Sequence, residues 1–271
     1  MAAGFLCIPA AGYLTSPRGA LGPTVLQAES VIGAAVAVVV CMGLATMVAA
    51  LVGRFTNAVV GLFVLGGGLY ALVHRTATVE ELARSEQSLG LVVVETVLWA
   101  LLVLAAVVVV FRLAGPLKDV QLEKSGRRPS AFLSAAAGKS ALAGLLVLPA
   151  VWFIAQSPMK GQVVGAVFVG GLVAGLAGRL WSPHVQPILL FVSPIVFGAI
   201  GHIVGMVLMK ESLGEAFVAG EVPALCLPMP ADYAAGTLLG VSLGLGWAKS
   251  FLHPHEEEAK EPQSGAAVQS T

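Results

Sequence analysis

Charged residues are scarce in this chain, and their scarcity excludes most soluble proteins. Asp, Glu, Lys and Arg make up 11% of the 271 residues, whereas a soluble domain carries about 25%. Hydrophobic residues make up 57%, and the mean hydropathy is +0.90. The composition therefore predicts a polytopic membrane protein of all-α fold, and it excludes a soluble enzyme and a disordered chain.

Neither sign of charge is in excess. Fifteen basic residues balance fifteen acidic ones, so the chain lacks the basic field that would hold nucleic acid. We expect the lipid bilayer as the main partner and no nucleic acid.

Long uncharged stretches predict where the chain crosses a bilayer, because a spanning helix needs about 20 apolar residues. Seven stretches meet this criterion, and the last is the least hydrophobic. They are residues 31–53, 56–74, 89–111, 140–157, 161–180, 186–208 and 234–252.

The basic residues of the connecting loops predict the orientation. One side would carry five Lys and Arg residues and the other ten, six of which lie in residues 112–139. The side with ten is expected to be cytoplasmic, so the N-terminus lies outside and the C-terminus inside. We expect a multi-pass protein of a bacterial plasma (inner) membrane.

Three regions follow from these spans. Residues 1–30 are expected to form an extracytoplasmic segment, interfacial or re-entrant, because the apolar run at 2–14 is short and Pro9 interrupts it. Residues 31–252 form a single helical membrane domain. Residues 253–271 are polar and lack aromatic residues, which is typical of a disordered cytoplasmic tail.

Small residues recur at every fourth position in several predicted spans. The clearest series are Gly33, Ala37, Cys41, Ala45, Ala49 and Gly53 in the first span and Gly236, Gly240 and Gly244 in the last. Membrane helices associate through the close backbone contact that small residues permit. Tight packing within the bundle is the favoured interpretation, although the same faces could serve other membrane subunits or a homo-oligomer.

No catalytic, metal or cofactor motif survives inspection. Gly240-Val-Ser-Leu-Gly244 matches a hydrolase nucleophile pattern, but that pattern works on a strand-to-helix turn, and here it lies inside a predicted membrane helix. We therefore expect no enzyme activity, no cofactor and no metal.

One polar constellation lies inside the predicted membrane region, where ionisable residues are costly. Glu95 and His202 each lie seven residues from the outer end of their spans, about 10 Å deep. Gly66, Gly67 and Gly68 fall at a similar depth and could unwind their helix, and Tyr70 lies one turn further out. A proton or ion site in a transport path is the functional interpretation. The alternatives are a hydrogen-bonded pair that joins two helices, or a Glu95 that reaches water.

The cysteines suggest a second hypothesis. Cys41 lies inside a span, whereas Cys7 and Cys226 both fall on the predicted outer side, where a disulfide between them could persist. On function, the sequence favours a non-catalytic membrane subunit or scaffold. The alternative is a small proton- or ion-coupled transporter or channel that uses the level of Glu95 and His202.

Overall fold

The computed structural model describes residues 2–117, 120 and 134–252. Within these ranges the chain is helical, and the only strand-like feature is a single bridge between Thr15 and Leu21. Its α-helices are α1 (Ala2–Cys7), α2 (Val31–Phe55), α3 (Ala58–Val73), α4 (Val79–Arg84), α5 (Leu89–Ala114), α6 (Ala135–Leu142), α7 (Val147–Ile154), α8 (Lys160–Trp181), α9 (Ser193–Leu208), α10 (Leu213–Ala219) and α11 (Pro230–Leu252). Short 3₁₀ turns extend or precede some of them, at Ile8–Tyr13, Ala143–Leu146, Leu189–Phe191 and Ala224–Cys226.

Each of the seven segments predicted to span is helical in the structure. Five helices are long and apolar enough to cross a membrane: Val31–Phe55, Leu89–Ala114, Ala135–Ile154, Lys160–Trp181 and Leu189–Leu208. The helix Ala58–Val73 is apolar but shorter. The protein is therefore a helical protein of membrane type.

The outward faces of the long helices are apolar. Ile32 and Phe55 at the two ends of α2 and Val207 on α9 are each at least 80% exposed. Between them, α2 also exposes Val36, Leu44 and Leu51 along its whole length. Contiguous apolar surface of this kind requires cover by another apolar phase, and lipid supplies that cover for helices of this length.

The least hydrophobic of the predicted spans lies at the centre of the bundle. Helix α11 packs against α8, α3, α5 and α9, and most of its residues are buried. Because protein covers α11, it needs less apolar surface than the helices that face outward.

The glycines of α11 explain how closely it approaches α8. A Cβ atom at Gly240 would overlap the carbonyl oxygen of Phe168, and one at Gly244 would overlap that of Leu172. From the other side, a Cβ atom at Gly175 would lie 2.7 Å from the carbonyl oxygen of Val241. The fourfold glycine spacing of this helix therefore forms a contact within one chain.

The first helix packs against the membrane bundle. Ala3 lies against Gly68 of α3, where a Cβ atom would come within 3.0 Å of it. Cys7 and Ala10 are fully buried, and the segment contacts α2 and α3. Of the predicted regions, the tail at 253–271 and most of loop 112–139 lie outside the described residues.

Candidate functional site

Glu95 is held by the backbone of the loop that precedes α2. Glu95 is the seventh residue of α5 and is 3% exposed. The backbone N–H of Val25 donates to both carboxylate oxygens, at 2.9 and 2.8 Å, and the N–H of Leu26 donates to Oε2 at 2.9 Å. Trp99, one turn along α5, donates its indole N–H to Oε1 at 3.3 Å.

The carboxylate of Glu95 links the loop at residues 25–26 to α5 through these hydrogen bonds. All of its hydrogen-bond partners in the described chain are donors, which suit oxygens that only accept. The same loop is tied to the start of α5 by Gln27, which donates to the carbonyl of Ser88, and by Gln87, which donates to the carbonyl of Gln27. Glu95 therefore closes a polar clasp between residues 25–27 and α5.

His202 makes a separate set of contacts at the centre of the bundle. It is fully buried on α9. Its Nε2 lies 2.8 Å from the carbonyl oxygen of Pro228, and its Nδ1 lies 3.3 Å from Oγ1 of Thr96 on α5. The ring of Tyr233 on α11 meets the imidazole edge-on, with centroids 5.5 Å apart. His202 thus joins α5, α9 and the turn before α11.

The hydrogen-bond partners of His202 show that its Nε2 atom carries a proton. A carbonyl oxygen only accepts, so Nε2 carries a hydrogen and donates to Pro228. The Thr96 hydroxyl donates to the carbonyl of Val92, at 2.7 Å, which leaves its oxygen free to accept from Nδ1. If Nδ1 instead lacks a proton, the hydroxyl can rotate and donate to it. Both charge states of the imidazole can therefore be satisfied.

Glu95 and His202 lie at the same level of the bundle, but no hydrogen bond joins them. His202 instead contacts Thr96, the residue that follows Glu95 in α5. The side chains of Thr96 and Glu95 leave α5 in different directions. Glu95 turns towards the loop at residues 25–26, whereas Thr96 turns towards α9. The sequence places both residues at one depth, but only the rotation of α5 decides which neighbour each side chain meets.

The three successive glycines do not open α3. The helix continues through residues 66–68, so the expected unwinding does not occur in the structure. Two of these glycines admit close neighbours: a Cβ atom at Gly66 would lie 3.0 Å from Leu238 and Leu239, and Gly68 faces Ala3. Gly67 has open space around it.

Tyr70, on the same helix, makes its ring contact with His74. The two rings are perpendicular, with centroids 4.4 Å apart. The tyrosine is about one-third exposed, so it lies towards the surface of the bundle.

The structure does not contain the disulfide predicted between Cys7 and Cys226. Both are buried free thiols, and burial raises the pKa of each to about 12. The helix that carries Cys7 contacts α2 and α3, whereas the turn that carries Cys226 contacts α9 and α7. Sharing a side of the bundle was not sufficient to bring the two thiols together.

A buried ion pair was missed by the sequence reasoning. Lys160, at the start of α8, places Nζ 2.8 Å from Oδ1 of Asp232, in the first turn of α11. The Asp232 side chain is 1% exposed, and its other oxygen accepts the N–H of Met229 at 2.7 Å. By the predicted spans, Lys160 and Asp232 both fall in loops on the outer side, and that shared side is the only signal in the sequence that pairs them.

Several buried hydroxyls lack a partner. Within the described residues, Tyr233, Thr237 and Ser242 on α11 make no side-chain hydrogen bond. No group of three or more His, Cys, Asp or Glu side chains capable of holding a metal occurs in that part of the chain.

Comparison with known proteins finds no matching family profile, no matching curated protein and no matching solved structure.

Proposed function

We propose that the chain is a non-catalytic subunit or scaffold of a bacterial plasma membrane, with seven spans, the N-terminus outside and the C-terminus in the cytoplasm. The carboxylate of Glu95 carries this proposal. Among the described residues, it is the one acidic side chain within the five long apolar helices, and its hydrogen-bonding capacity is used within the chain. A transport site would need oxygens that are open to a passing ion.

The pockets also favour this proposal. Two pockets, of about 530 and 290 Å³, are lined by residues other than Glu95 and His202. Both of these residues are buried in closely packed protein. Burial of both residues away from these two pockets is typical of a structural membrane component.

The seven-span count is supported by the place of α3 and α11 in the bundle. Helix α11 has 23 residues, or about 34 Å of rise, and protein surrounds it. Helix α3 has 16 residues, or about 24 Å, and it packs beside α2 and α11. Both run alongside helices that are long enough to span.

The orientation is tested by labelling single cysteines introduced as Lys210→Cys and Lys139→Cys. A membrane-impermeant maleimide should label the first variant in intact cells and the second only after permeabilisation. The wild-type chain is the control and gives the background labelling of the native thiols, since Cys7 and Cys226 are buried but Cys41 on α2 is only partly buried. The reverse pattern would overturn the orientation.

The function is tested by comparing two preparations. Extracted in mild detergent from its own host, the chain should migrate as a stoichiometric assembly larger than the purified chain. In liposomes, the purified chain should conduct no protons, Na⁺ or K⁺. Ion flux by the purified chain that His202→Ala abolishes, while the protein stays folded, would replace the subunit proposal with transport.

A further inference from the structure

The two ends of the bundle differ sharply in charge. At the end where α2, α5, α8 and α11 finish and α3, α6 and α9 begin, the described residues include five cations and no acid. These cations are Arg54, Arg112, Lys139, Arg179 and Lys249. Every described Asp and Glu lies in the other half: in the segments that connect the long helices there, in the first turn of α11, or at Glu95. The basic end is therefore complementary to an anionic surface.

A crevice of about 530 Å³ opens at this basic end. The first turns of α3, the last residues of α5 and the last turns of α11 form its walls, and it reaches Arg179 at the end of α8. Lys249 on α11 is exposed at its edge, and Thr56 and Asn57 add polar groups beside the start of α3. Cationic and neutral polar groups thus meet at one end of the cavity.

The rest of the lining is apolar and extends towards the lipid-facing surface. Val60 and Phe63 line the crevice and are 38% and 45% exposed, and they continue along α3 away from Lys249. Ser242, about two helical turns before Lys249, lines the same cavity and is 4% exposed, with a buried hydroxyl that lacks a hydrogen-bond partner in the described chain.

We propose that this crevice binds the phosphate headgroup of an anionic membrane lipid, with the phosphate beside Lys249 and one acyl chain along Val60 and Phe63. Basic pockets between membrane helices suit anionic headgroups. The arrangement of charge followed by an apolar wall matches a molecule that has both parts. A free phosphate would use only the first. The inference rests on the membrane placement proposed above but not on the subunit role.

The probe is phosphatidylglycerol, with phosphatidylcholine of the same acyl chains as the comparison lipid. The full-length chain in non-ionic detergent is titrated with each lipid, and bound copies are counted by native mass spectrometry. One phosphatidylglycerol per chain should be retained in preference to phosphatidylcholine. This readout works in detergent, so it does not depend on which end faces the cytoplasm.

Two variants probe the two halves of the crevice, and each has a matched control. Lys249→Gln should weaken phosphatidylglycerol binding about fivefold, since one Lys near an anionic lipid surface is worth on the order of that factor. Its control, Lys210→Gln, removes an exposed lysine at the opposite end. Gly246→Leu should abolish retention, because Gly246 lines the crevice with open space beside it. Its control is Gly43→Leu, at an exposed position on α2 that also has open space.

The outcomes separate the possible ligands. Equal retention of the two lipids by a folded chain would overturn the proposal, as would equal effects of the variants and their controls. Millimolar inorganic phosphate that displaces phosphatidylglycerol, and binds with the same variant pattern when lipid is absent, would overturn the lipid assignment in favour of a soluble anion. A chain that stays monodisperse without detergent would instead refute the membrane placement itself.

Discussion

Removing the carboxylate of Glu95 should detach the loop at residues 25–27 from α5. The substitution Glu95→Ala leaves the N–H groups of Val25 and Leu26 without their acceptor, at a position where the Glu95 residue is 3% exposed. An unsatisfied buried donor costs about 1–3 kcal/mol, so we expect a loss of about 2–6 kcal/mol. Glu95→Gln keeps one carbonyl oxygen and should lose roughly half as much.

Two measurements follow this loss. The melting temperature in detergent should fall by about 4–24 °C for Glu95→Ala, since 1 kcal/mol corresponds to roughly 2–4 °C in a chain of about this size. It can be read with a thiol-reactive dye as an increase over the signal of the partly buried Cys41, because Cys7 and Cys226 are buried until the bundle opens. Hydrogen exchange should rise tenfold or more at the two freed amides.

The control is Glu80→Gln, which breaks the exposed Glu80–Arg84 pair on α4 and should change stability by less than about 1 kcal/mol. If Glu95→Ala leaves both the melting temperature and the exchange at residues 25–26 unchanged, the clasp does not hold the loop. That result would favour the interpretation of Glu95 as part of a transport site.

Three further substitutions or conditions have defined outcomes. Gly240→Ala should destabilise the bundle by about 1–3 kcal/mol through overpacking against α8. Its control, Gly246→Ala, replaces a glycine with open space around it and should not lower the melting temperature. Equal changes in the melting temperatures of the two variants would refute the close approach of α11 to α8. His202→Ala should lower the melting temperature more than Gly246→Ala does, because it strands a buried carbonyl, and an unchanged value would show that the central contact is dispensable. Hydrogen bonds from the hydroxyl and backbone N–H of Ser212 hold the pKa of Glu215 below its usual value; the capping box of α10 should therefore persist above the ordinary pKa of glutamate and be lost as pH falls through the depressed value. The protection factors of the amides at residues 212–216, taken relative to an unstructured peptide at the same pH, should fall over that acidic range in the wild type and be low at every pH in Ser212→Ala.

The candidate site shows where inference from the sequence stops. Counting residues from the outer ends of the spans predicts that Glu95 and His202 lie at one depth. In the structure Thr96, next to Glu95, contacts His202. The partner of Glu95 was not foreseeable, because the N–H donors of Val25 and Leu26 belong to a loop of ordinary composition. Backbone groups leave no signal in the identity of the residues that carry them.

The glycine patterns were more informative than the cysteines. Fourfold spacing in the last span predicted a close helix contact, and Gly236, Gly240 and Gly244 provide it against α8. The Cys7–Cys226 hypothesis was wrong because a topological side is a broad area, whereas a disulfide needs two Cβ atoms about 4 Å apart.

Composition and the spacing of charges by themselves determined a helical membrane-type protein and the approximate positions of its seven long helical segments. They did so because the energy of moving a residue from water to lipid depends on that residue alone. Tertiary structure decided that the most polar of those segments, Pro230–Leu252, lies at the centre, that a loop N–H group meets Glu95, and that Lys160 pairs with Asp232. These outcomes depend on how each helix is rotated about its axis and on which helices become neighbours, and both are set by the packing of all the helices together.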